Sequence, residues 1–252
     1  MLPIRILHLS DLHGNLKQLH KTVKSGQAFD WIVMTGDMPP THVKYMTLDK
    51  HGRRIIDKEK EAAHQLEWCK NALKPLIDKI PHKRTIYVNG NHCFCNTAGL
   101  FDFTTFKGTQ SFTLDGVKVG CAVGIAPLDF EWHEELPEFE FNELLNTLPK
   151  DIEVLVTHAP ASQVLDSSYG GQHIGYDCLY HKLFGSALRN LDPHFTHLHT
   201  HLFGHAHESN GFKEIEVGDR NILFSNASCG GNVIEPDKPP ERLGHKTTKD
   251  PE

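Results

Sequence analysis

The chain has 252 residues, which is enough for one α/β domain whose hydrophobic core needs no disulfide or structural metal. Its net charge of -6, without a Lys/Arg-rich block, argues against a protein that coats extended nucleic acid or an anionic membrane, so a small ligand is expected. The sequence opens without a signal-peptide pattern and has no apolar run long enough to span a bilayer. Its six cysteines are scattered along the chain, which indicates reduced thiols. These features predict a cytoplasmic protein.

The first predicted elements form a βαβ unit. A strand from Ile4 to Ser10 ends in a turn that begins with Asp11, and apolar residues then recur at helical spacing from Leu16 until Gly26. A second, largely buried strand runs from Trp31 to Thr35, and the Gly-Asp pair follows it. Two strands joined through a helix predict a parallel sheet.

The next part of the chain returns to this sheet. Residues Met38 to Arg54 are polar and interrupted by prolines, which predicts a surface insertion. A helical face begins at Asp57, and Pro75 is expected to kink or end that helix. The strand from Thr85 to Val88 then leads directly into Gly-Asn-His.

Hairpins dominate the second half of the chain, because Asp115-Gly116 and Gly218-Asp219 each separate two strand-like runs. Repeated βα units followed by hairpins predict an α/β fold in which two mixed sheets are flanked by helices, a four-layer α/β/β/α sandwich. We expect one domain over residues 1–234 and a polar, Pro-rich tail over 235–252. The predicted elements are strands Gln110–Leu114, Val117–Val123, Ile152–Thr157, His201–Phe203, Phe212–Val217 and Asn221–Ser225, and helices Phe139–Leu148 and Asp177–Leu191.

A short polar cluster directly follows each of five predicted strands. The carboxyl ends of the strands in an α/β sheet collect functional side chains at one edge. Any one of these residues would more often be an ordinary turn, surface or core residue than a ligand, but five clusters in register indicate a common site. The clusters are Asp11-Leu12-His13, Gly36-Asp37, Gly90-Asn91-His92, Thr157-His158 and Gly204-His205-Ala206-His207.

The side chains in these clusters indicate a metal centre. Carboxylate, imidazole and carboxamide ligands suit transition-metal ions such as Mn, Fe or Zn, whereas calcium would want more oxygen ligands and a structural zinc more thiolates. Two ions are implied, and one carboxylate must then bridge them at the roughly 3.5–4 Å separation used for hydrolysis at phosphorus. Asp37 is the expected bridge, because it lies in the chain between the Asp11 pair and the Asn91 group.

The ordered motifs resemble those of the calcineurin-like metallophosphoesterase superfamily, and they span Asp11 to His207. A finer likeness, in Val156–Pro160, His201–Glu208 and Phe224–Ser228, is to small metallophosphoesterase-domain proteins allied to the class III cyclic-nucleotide phosphodiesterases.

The resemblance implies a role for each cluster residue. His92 would stabilise the charge of the phosphate or protonate the leaving oxygen, and Asn91 with His92 would contact the substrate. One metal would be held by Asp11, His13, Asp37 and His207, and the other by Asp37, Asn91, His158 and His205.

Two positions depart from the pattern of many relatives. Those relatives have an acidic residue after Gly-Asn-His and a second aspartate three residues after the Gly-Asp aspartate, whereas this chain has Cys93 and Pro40. Carboxylates commonly orient functional imidazoles, so the sequence leaves open which group orients His92.

The expected activity is hydrolysis of small phosphodiesters, with 2′,3′-cyclic nucleotides as first candidates, by attack of a metal-bound hydroxide. Protein phosphatases of the superfamily carry arginines after Gly-Asp and Gly-Asn-His that clamp a doubly charged monoester, and neither Met38–Thr41 nor Cys93–Asn96 contains one. Arg53 or Arg54 could still reach the site from a distant loop. Alternatives are a phosphomonoesterase and, in another class, a weakly active nucleotide-binding sensor or scaffold; the complete set of ligands favours an enzyme.

Loop aromatics and further histidines are weaker candidates. Phe94, Phe130, Trp132 and Tyr169 could stack a base, although core packing is the commoner use of such residues. The histidines from His194 to His201 precede or lie within a strand, so composition alone explains them better than catalysis. The sequence indicates no oligomeric state.

Overall fold

The computed structural model describes residues 4–41, 45–52, 54–128, 132–185, 192–235 and 238–243. The helices are α1 (Lys17–Ser25), α2 (Lys58–Trp68), α3 (Lys74–Ile77), α4 (Glu138–Asn146) and α5 (Asp177–Phe184). The strands are β1 (Ile6–Ser10), β2 (Trp31–Met34), β3 (Met46–Leu48), β4 (Arg54–Ile56), β5 (Arg84–Val88), β6 (Phe103–Thr105), β7 (Thr109–Leu114), β8 (Val117–Ala122), β9 (Val154–Thr157), β10 (Thr200–Phe203), β11 (Gly211–Val217), β12 (Arg220–Asn226), β13 (Gly230–Ile234) and β14 (Glu241–Arg242).

Two mixed sheets of six strands each form the centre of the molecule. The first has the order β14-β13-β1-β2-β5-β6, and the second has the order β11-β12-β10-β9-β8-β7. Strands β1, β2, β5 and β6 are parallel neighbours, as are β8, β9, β10 and β12, whereas β13, β14, β7 and β11 join antiparallel. The parallel strands therefore end together in each sheet.

Three layers of apolar side chains hold these elements together. In β2, Trp31 and Val33 pack between the two sheets, while Ile32 and Met34 pack under the helices α1 to α3. A third cluster, which includes Phe141 of α4, lies between the second sheet and the helices α4 and α5. This alternation along buried strands produces the α/β/β/α sandwich, and the predicted fold class is confirmed.

Several local predictions differ from the structure. Met38, which opens the predicted surface insertion, is fully buried. Strand β3 of that insertion pairs with β4 in a small separate hairpin that extends past the predicted end of the insertion to Ile56. The helix predicted to kink or end at Pro75 changes to a π-helical turn at Cys69–Leu73, before the proline, and its last segment ends at Ile77. The helix predicted over Asp177–Leu191 ends at Phe184, where Gly185 adopts a φ of 73°, and residues 186–191 of the prediction lie outside the described part of the chain.

In the described part of the predicted tail, β14 pairs with β13 at the edge of the first sheet. Across the described ranges, the structure contains no helix that combines the length and apolar character needed to cross a membrane.

Candidate metal centre

Five strands deliver the candidate ligands to one edge where the two sheets meet. Strands β1, β2 and β5 of the first sheet end just before Asp11, Asp37 and Asn91. Strands β9 and β10 of the second sheet end just before His158 and the Gly-His-Ala-His segment. Backbone hydrogen bonds join the first two loops, since the N–H of Asp11 donates to the Gly36 carbonyl at 3.0 Å. The expected convergence of the clusters is therefore visible in the structure.

Two glycines allow the loops to approach this closely. A Cβ on Gly204 would lie 1.9 Å from Oγ of Ser10 and 2.3 Å from Oδ2 of Asp11. A Cβ on Gly90 would lie 2.3 Å from Oδ1 of Asp37. Any larger residue at either position would displace a candidate ligand, so the Gly-His and Gly-Asn-His motifs are steric requirements of the site.

The backbone is strained at four of the candidate ligands. Asp11, His13, Asp37 and His205 have φ values of 51°, 45°, 51° and 70°, in the left-handed region that residues with a Cβ seldom adopt. Each such residue costs on the order of 1–3 kcal/mol, and strain of this kind concentrates at functional sites. The loops therefore hold these side chains in positions that an unstrained turn would not give.

Oδ2 of Asp11 is fixed by three donors. It accepts hydrogen bonds from Oγ of Ser10 at 2.6 Å, Oγ of Ser228 at 3.0 Å and the backbone N–H of His205 at 2.9 Å. The carboxylate is 2 % exposed and cannot rotate without breaking these bonds. Its other oxygen, Oδ1, is thereby held toward the histidines of the site.

Asp11, His13 and His207 form the more open group of candidate ligands. Oδ1 of Asp11 lies 3.2 Å from Nε2 of His207 and 4.0 Å from Nε2 of His13. The two imidazole Nε2 atoms are 3.4 Å apart. Two basic nitrogens at this distance need a proton or a cation between them, and the half-exposed His13 and His207 rings leave this end of the site open to a ligand.

Asp37, Asn91 and His158 form the more buried group. Nε2 of His158 lies 3.3 Å from Oδ2 of Asp37 and 2.9 Å from Oδ1 of Asn91. Nδ1 of His158 bonds to the carbonyl of Thr35 at 2.6 Å and must carry the hydrogen, because a carbonyl only accepts. The lone pair of the neutral ring therefore lies on Nε2, which is the arrangement of a metal-ligating histidine.

Two buried atoms in this region have no hydrogen-bond partner among the described residues, Oδ2 of Asp37 and Nε2 of His205. A buried carboxylate oxygen without a partner costs free energy unless a cation or water meets it. The ligand atoms of Asp11, His13 and His207, and likewise those of Asp11, Asp37 and His158, lie within 4.8 Å of one another. The donor set and the unpartnered atoms fit transition-metal ions.

Asp11 belongs to both of the two sets whose ligand atoms lie within 4.8 Å of one another, Asp11-His13-His207 and Asp11-Asp37-His158. Asp37, the bridge expected from the sequence, belongs to the second set alone. Oδ1 of Asp11 lies 4.0 Å from Nε2 of His158 as well as from Nε2 of His13. Both carboxylates are thus placed between histidines, and the bridging role of Asp37 stays a prediction.

The pKa values show how strongly negative this edge is. Burial raises the pKa of the Asp11 and Asp37 carboxyls, but the surrounding imidazoles, His158 foremost, together outweigh it and hold both pKa values below the usual range. Burial lowers the pKa of His158, yet the two carboxylates raise it to about 9. The hydrogen bond to Asp11 raises the pKa of His207 to about 11, while burial lowers that of His205 to about 3. Metal cations would displace the protons that these carboxylates attract.

His92 lies beside both groups and is held by other residues. Its backbone N–H donates to Oδ1 of Asp37 at 2.8 Å, and its Nδ1 lies 3.1 Å from Oγ1 of Thr41. The centre of its ring is 4.0 Å from that of Trp132 and 5.1 Å from that of His13. Burial lowers the pKa of the His92 imidazole. The ring is therefore placed at the edge of the candidate metal centre and does not belong to either ligand group.

Sequence reasoning missed the residues that support the ligands. No supporting role was predicted for Ser10, Ser228, Thr41 or Gln65, although Ser228 closes the Phe224–Ser228 stretch of the finer likeness and lies two residues after β12. Gln65 leaves no such signal, since it lies on one turn of α2 and reaches the site only through the packing of that helix. Cys93, in place of an acidic residue, accepts the N–H of Asp37 with its sulfur at 3.2 Å.

The weaker candidates lie in different environments. Phe94 is 7 % exposed and packs in the interior, which favours the core alternative, whereas Tyr169 is 94 % exposed. Phe130, Arg53 and the Arg54 side chain fall outside the part of the chain that the structure describes. Among the histidines near β10, His201 is fully buried and bonds to Oγ1 of Thr157, away from the ligands.

Comparison with solved structures supports the fold. A protein of Thermus thermophilus has a TM-score of 0.54 at 17% identity, covering 93% of this chain and 95% of its own. Another solved structure has a TM-score of 0.59 at 13% identity, covering 96% and 100%. An archaeal phosphodiesterase covers 95% and 98% at 11% identity, but its TM-score of 0.43 carries no argument. No curated protein sequence matches the chain.

The sequence pattern of a known family matches most of the chain. The family is described as calcineurin-like phosphoesterase, and its match extends over residues 4–209. This range includes all the candidate ligands from Asp11 to His207 and the strands that deliver them. The chain belongs to the calcineurin-like phosphoesterase family and is a metal-dependent phosphoric ester hydrolase.

Proposed function

We propose that this chain is a dinuclear metal-dependent phosphodiesterase that hydrolyses small phosphodiesters, with 2′,3′-cyclic nucleotides as first candidates. The observation that carries the proposal is the pair of ligand groups at one edge of the two sheets, with Oδ2 of Asp37 and Nε2 of His205 buried and unpartnered there. A site that accepts two cations and opens to solvent on one side is suited to phosphoryl chemistry.

The ligands would divide between two ions of the Mn, Fe or Zn type. When bound, such ions supply Lewis-acid activation of the phosphoryl group and of the attacking water. Ser10 and Ser228 orient the Asp11 carboxylate, and the carbonyl of Thr35 orients His158. One ion would be held by Asp11, His13, Asp37 and His207, and the other by Asp37, Asn91, His158 and His205.

His92 would act on the substrate itself. The backbone N–H of His92 is bonded to Asp37, so its ring would lie beside the proposed ion sites without serving as a ligand. From this position the ring can donate a hydrogen bond to a phosphoryl or leaving oxygen, with Asn91 as a neighbouring contact.

The distribution of arginines favours a diester over a monoester. In the described part of the chain, Arg5 pairs with Glu235, Arg84 bonds to the carbonyl of Lys83, and Arg220 bonds to the carbonyl of Phe195. The guanidinium of Arg242 lies against Gly211, and none of these four contacts involves a candidate ligand. A doubly charged monoester is commonly clamped by such guanidinium groups, whereas a singly charged diester needs less compensation. The net charge of -6 likewise favours a small substrate over extended nucleic acid.

Aromatic side chains near the open end could contact a nucleobase. Trp132 stacks at a tilt of 42° beside His92, and Tyr169 is exposed on the loop that accepts a hydrogen bond from Ser209, two residues after His207. Bases stack favourably on such rings by about 1–3 kcal/mol. This supports, among small diesters, those that carry a base.

The experiment compares four substrates under one manganese condition: bis(p-nitrophenyl) phosphate, 2′,3′-cyclic AMP, p-nitrophenyl phosphate and a phosphopeptide. We expect a higher kcat/KM for the two diesters and about two metal equivalents per chain by elemental analysis. A higher kcat/KM for the two monoesters would show that the chain is a phosphomonoesterase and not a diesterase. Metal binding without turnover of any of the four would favour the nucleotide sensor or scaffold.

A further inference from the structure

The Nδ1 atom of His92 has a neutral partner in this protein. Oγ1 of Thr41 lies 3.1 Å from it, in the loop that follows Asp37. Functional histidines are commonly oriented by a carboxylate, a backbone carbonyl or water. Here the residues next to this contact in the chain, Pro40 and Cys93, carry no carboxylate, and the partner is a hydroxyl.

The contact between Thr41 and His92 is supported by a buried glutamine. Nε2 of Gln65 donates to the carbonyl of His92 at 2.7 Å and approaches the carbonyl of Pro40, next to Thr41, at 3.5 Å. Oε1 of the same amide accepts the N–H of Phe94 at 2.8 Å. Gln65 is fully buried on α2, so this helix holds the Thr41 loop and the His92 loop at a fixed separation.

The orientation of the ring is fixed as well. Oδ1 of Asp37 accepts the backbone N–H of His92, and the indole of Trp132 lies against the ring at 4.0 Å between centres. Turning the ring would break the Thr41 contact and disturb its packing against the indole. Nδ1 thus stays with Thr41, and Nε2 is the nitrogen that remains for a substrate.

A hydroxyl and a carboxylate impose different tautomers on an imidazole. A carboxylate only accepts, so a neutral ring bound to it carries its hydrogen on Nδ1 and presents a bare lone pair at Nε2. A hydroxyl can donate to Nδ1, and the neutral ring then carries its hydrogen on Nε2. Partial burial of the ring favours its neutral form over an imidazolium. A neutral imidazole with its hydrogen on the substrate side can polarise an oxygen.

We propose that Thr41 is a positioning residue for the reaction: its hydroxyl donates to Nδ1 of His92 and holds the neutral ring in the tautomer whose Nε2–H meets the phosphoester. The identity of the bound ester rests on the proposed function, but the tautomer does not. In this state His92 stabilises charge by hydrogen bonding and keeps its proton, since losing it would leave an imidazolate. A proton for the leaving oxygen comes from water.

The direct test is the tautomer of His92 in the zinc-loaded full chain labelled with ¹⁵N-histidine. Long-range ¹H–¹⁵N spectra separate a protonated ring nitrogen from a bare one, and the His92→Gln spectrum identifies the His92 signals. We expect the hydrogen on Nε2 in the unchanged chain and in Thr41→Ser, and on Nδ1 in Thr41→Asp. A hydrogen on Nδ1 in the unchanged chain would overturn the proposal.

Kinetics give a second readout of the same proposal. On bis(p-nitrophenyl) phosphate, Thr41→Val should keep its metal content and KM while kcat falls by about ten-fold, a loss at the lower end of those seen for orienting partners. Thr41→Ser, which keeps the hydroxyl, should have the kcat of the unchanged chain. Unchanged kcat in Thr41→Val would contradict the positioning role. The spectra do not depend on turnover. A chain that is inactive on every ester would therefore refute the proposed function, while the tautomer of His92 could still be measured.

Discussion

Nε2 of His158 lies 3.3 Å from Oδ2 of Asp37, an oxygen that has no hydrogen-bond partner among the described residues. The opposite nitrogen of the ring is committed to the Thr35 carbonyl at 2.6 Å. The lone pair of a neutral His158 and the carboxylate therefore face each other across a fully buried space, an arrangement that repels unless a proton or a cation is present. Predictions about the metal centre begin from this pair.

The first prediction concerns the charge of Asp37. Asp37→Asn keeps the size of the side chain but removes the charge proposed to be shared by two ions, so bound metal should fall below two equivalents and turnover by more than about 10²-fold. Elemental analysis and diesterase assays measure both. Asp166→Asn is the matched control, because Asp166 is equally buried but pairs with His173. Two retained equivalents in Asp37→Asn would refute the shared role.

The second prediction separates His92 from the ligands. The ring contacts Thr41 and Trp132, and no metal is assigned to it. His92→Ala should retain both metal equivalents and lose on the order of 10²–10⁴ in kcat, as expected when a donor to the reacting group is removed. His20→Ala, at an exposed position on α1, should change neither quantity. Loss of one metal equivalent in His92→Ala would show that His92 is a ligand.

The third prediction concerns the support of Asp11. Ser228 donates to Oδ2 of Asp11 at 3.0 Å, so Ser228→Ala frees the carboxylate to turn away from His207. Metal affinity should fall by about 10–100-fold, the usual effect of losing a partner that orients a ligand. Titration of the metal-stripped chain with Mn or Zn measures this. Ser209→Ala is the control, since Ser209 bonds to the Ser167 carbonyl. Equal affinities of the two variants would count against the orienting role.

The fourth prediction is steric. In Gly204→Ala the new methyl group would overlap Ser10 and Asp11, at 1.9 Å and 2.3 Å from their oxygens, so the junction of the two sheets must shift. We expect loss of metal binding and a decrease of about 1–3 kcal/mol in the free energy of unfolding, as for an overpacked interior. Gly230→Ala meets nothing within 4 Å and should behave like the unchanged chain. Denaturant unfolding and metal analysis measure the two effects. Unchanged stability and metal content in Gly204→Ala would contradict the steric requirement.

The fifth prediction concerns acid stability. Burial lowers the pKa of His8 and of His201 to about 3 in the folded chain, against about 6.5 when unfolded. Between these values the unfolded chain binds more protons, so the free energy of unfolding falls as the pH falls below about 6.5, by up to about 1.4 kcal/mol per pH unit for each histidine. Above pH 6.5 this contribution to stability is fully present.

His201→Phe isolates one of these histidines. The ring lies beside Phe203 and Phe224, and Oγ1 of Thr157 keeps its bond to the Ala159 carbonyl when the imidazole is gone. Denaturant unfolding gives the free energy of unfolding at each pH. Between pH 6 and 5 its dependence on pH should be weaker in His201→Phe than in the unchanged chain, by the equivalent of about one bound proton. His20→Ala should leave the slope unchanged. Identical slopes for all three proteins would mean that His201 is already protonated when folded.

The sequence by itself determined the fold class, the family and the strand-end positions of the candidate ligands. Buried strands such as β2 appear in the sequence as short apolar runs, and a short polar cluster follows each of them. Both signals are local, so they can be read along the chain. The steric requirement at Gly204 and Gly90 also has a local trace, because only glycine allows a neighbouring loop to come so near.

Only the tertiary structure decided which groups hold the ligands in place. Thr41 and Gln65 reach His92 because α2 packs beside the Gly-Asn-His loop, and Ser228 reaches Asp11 because β12 runs parallel to β10 in the other sheet. These partners are 217 residues apart in the case of Ser228 and Asp11, and hydroxyl and amide side chains have many other uses along a chain. Their roles depend on distances set by the packing of two sheets and a helix, which no local pattern records.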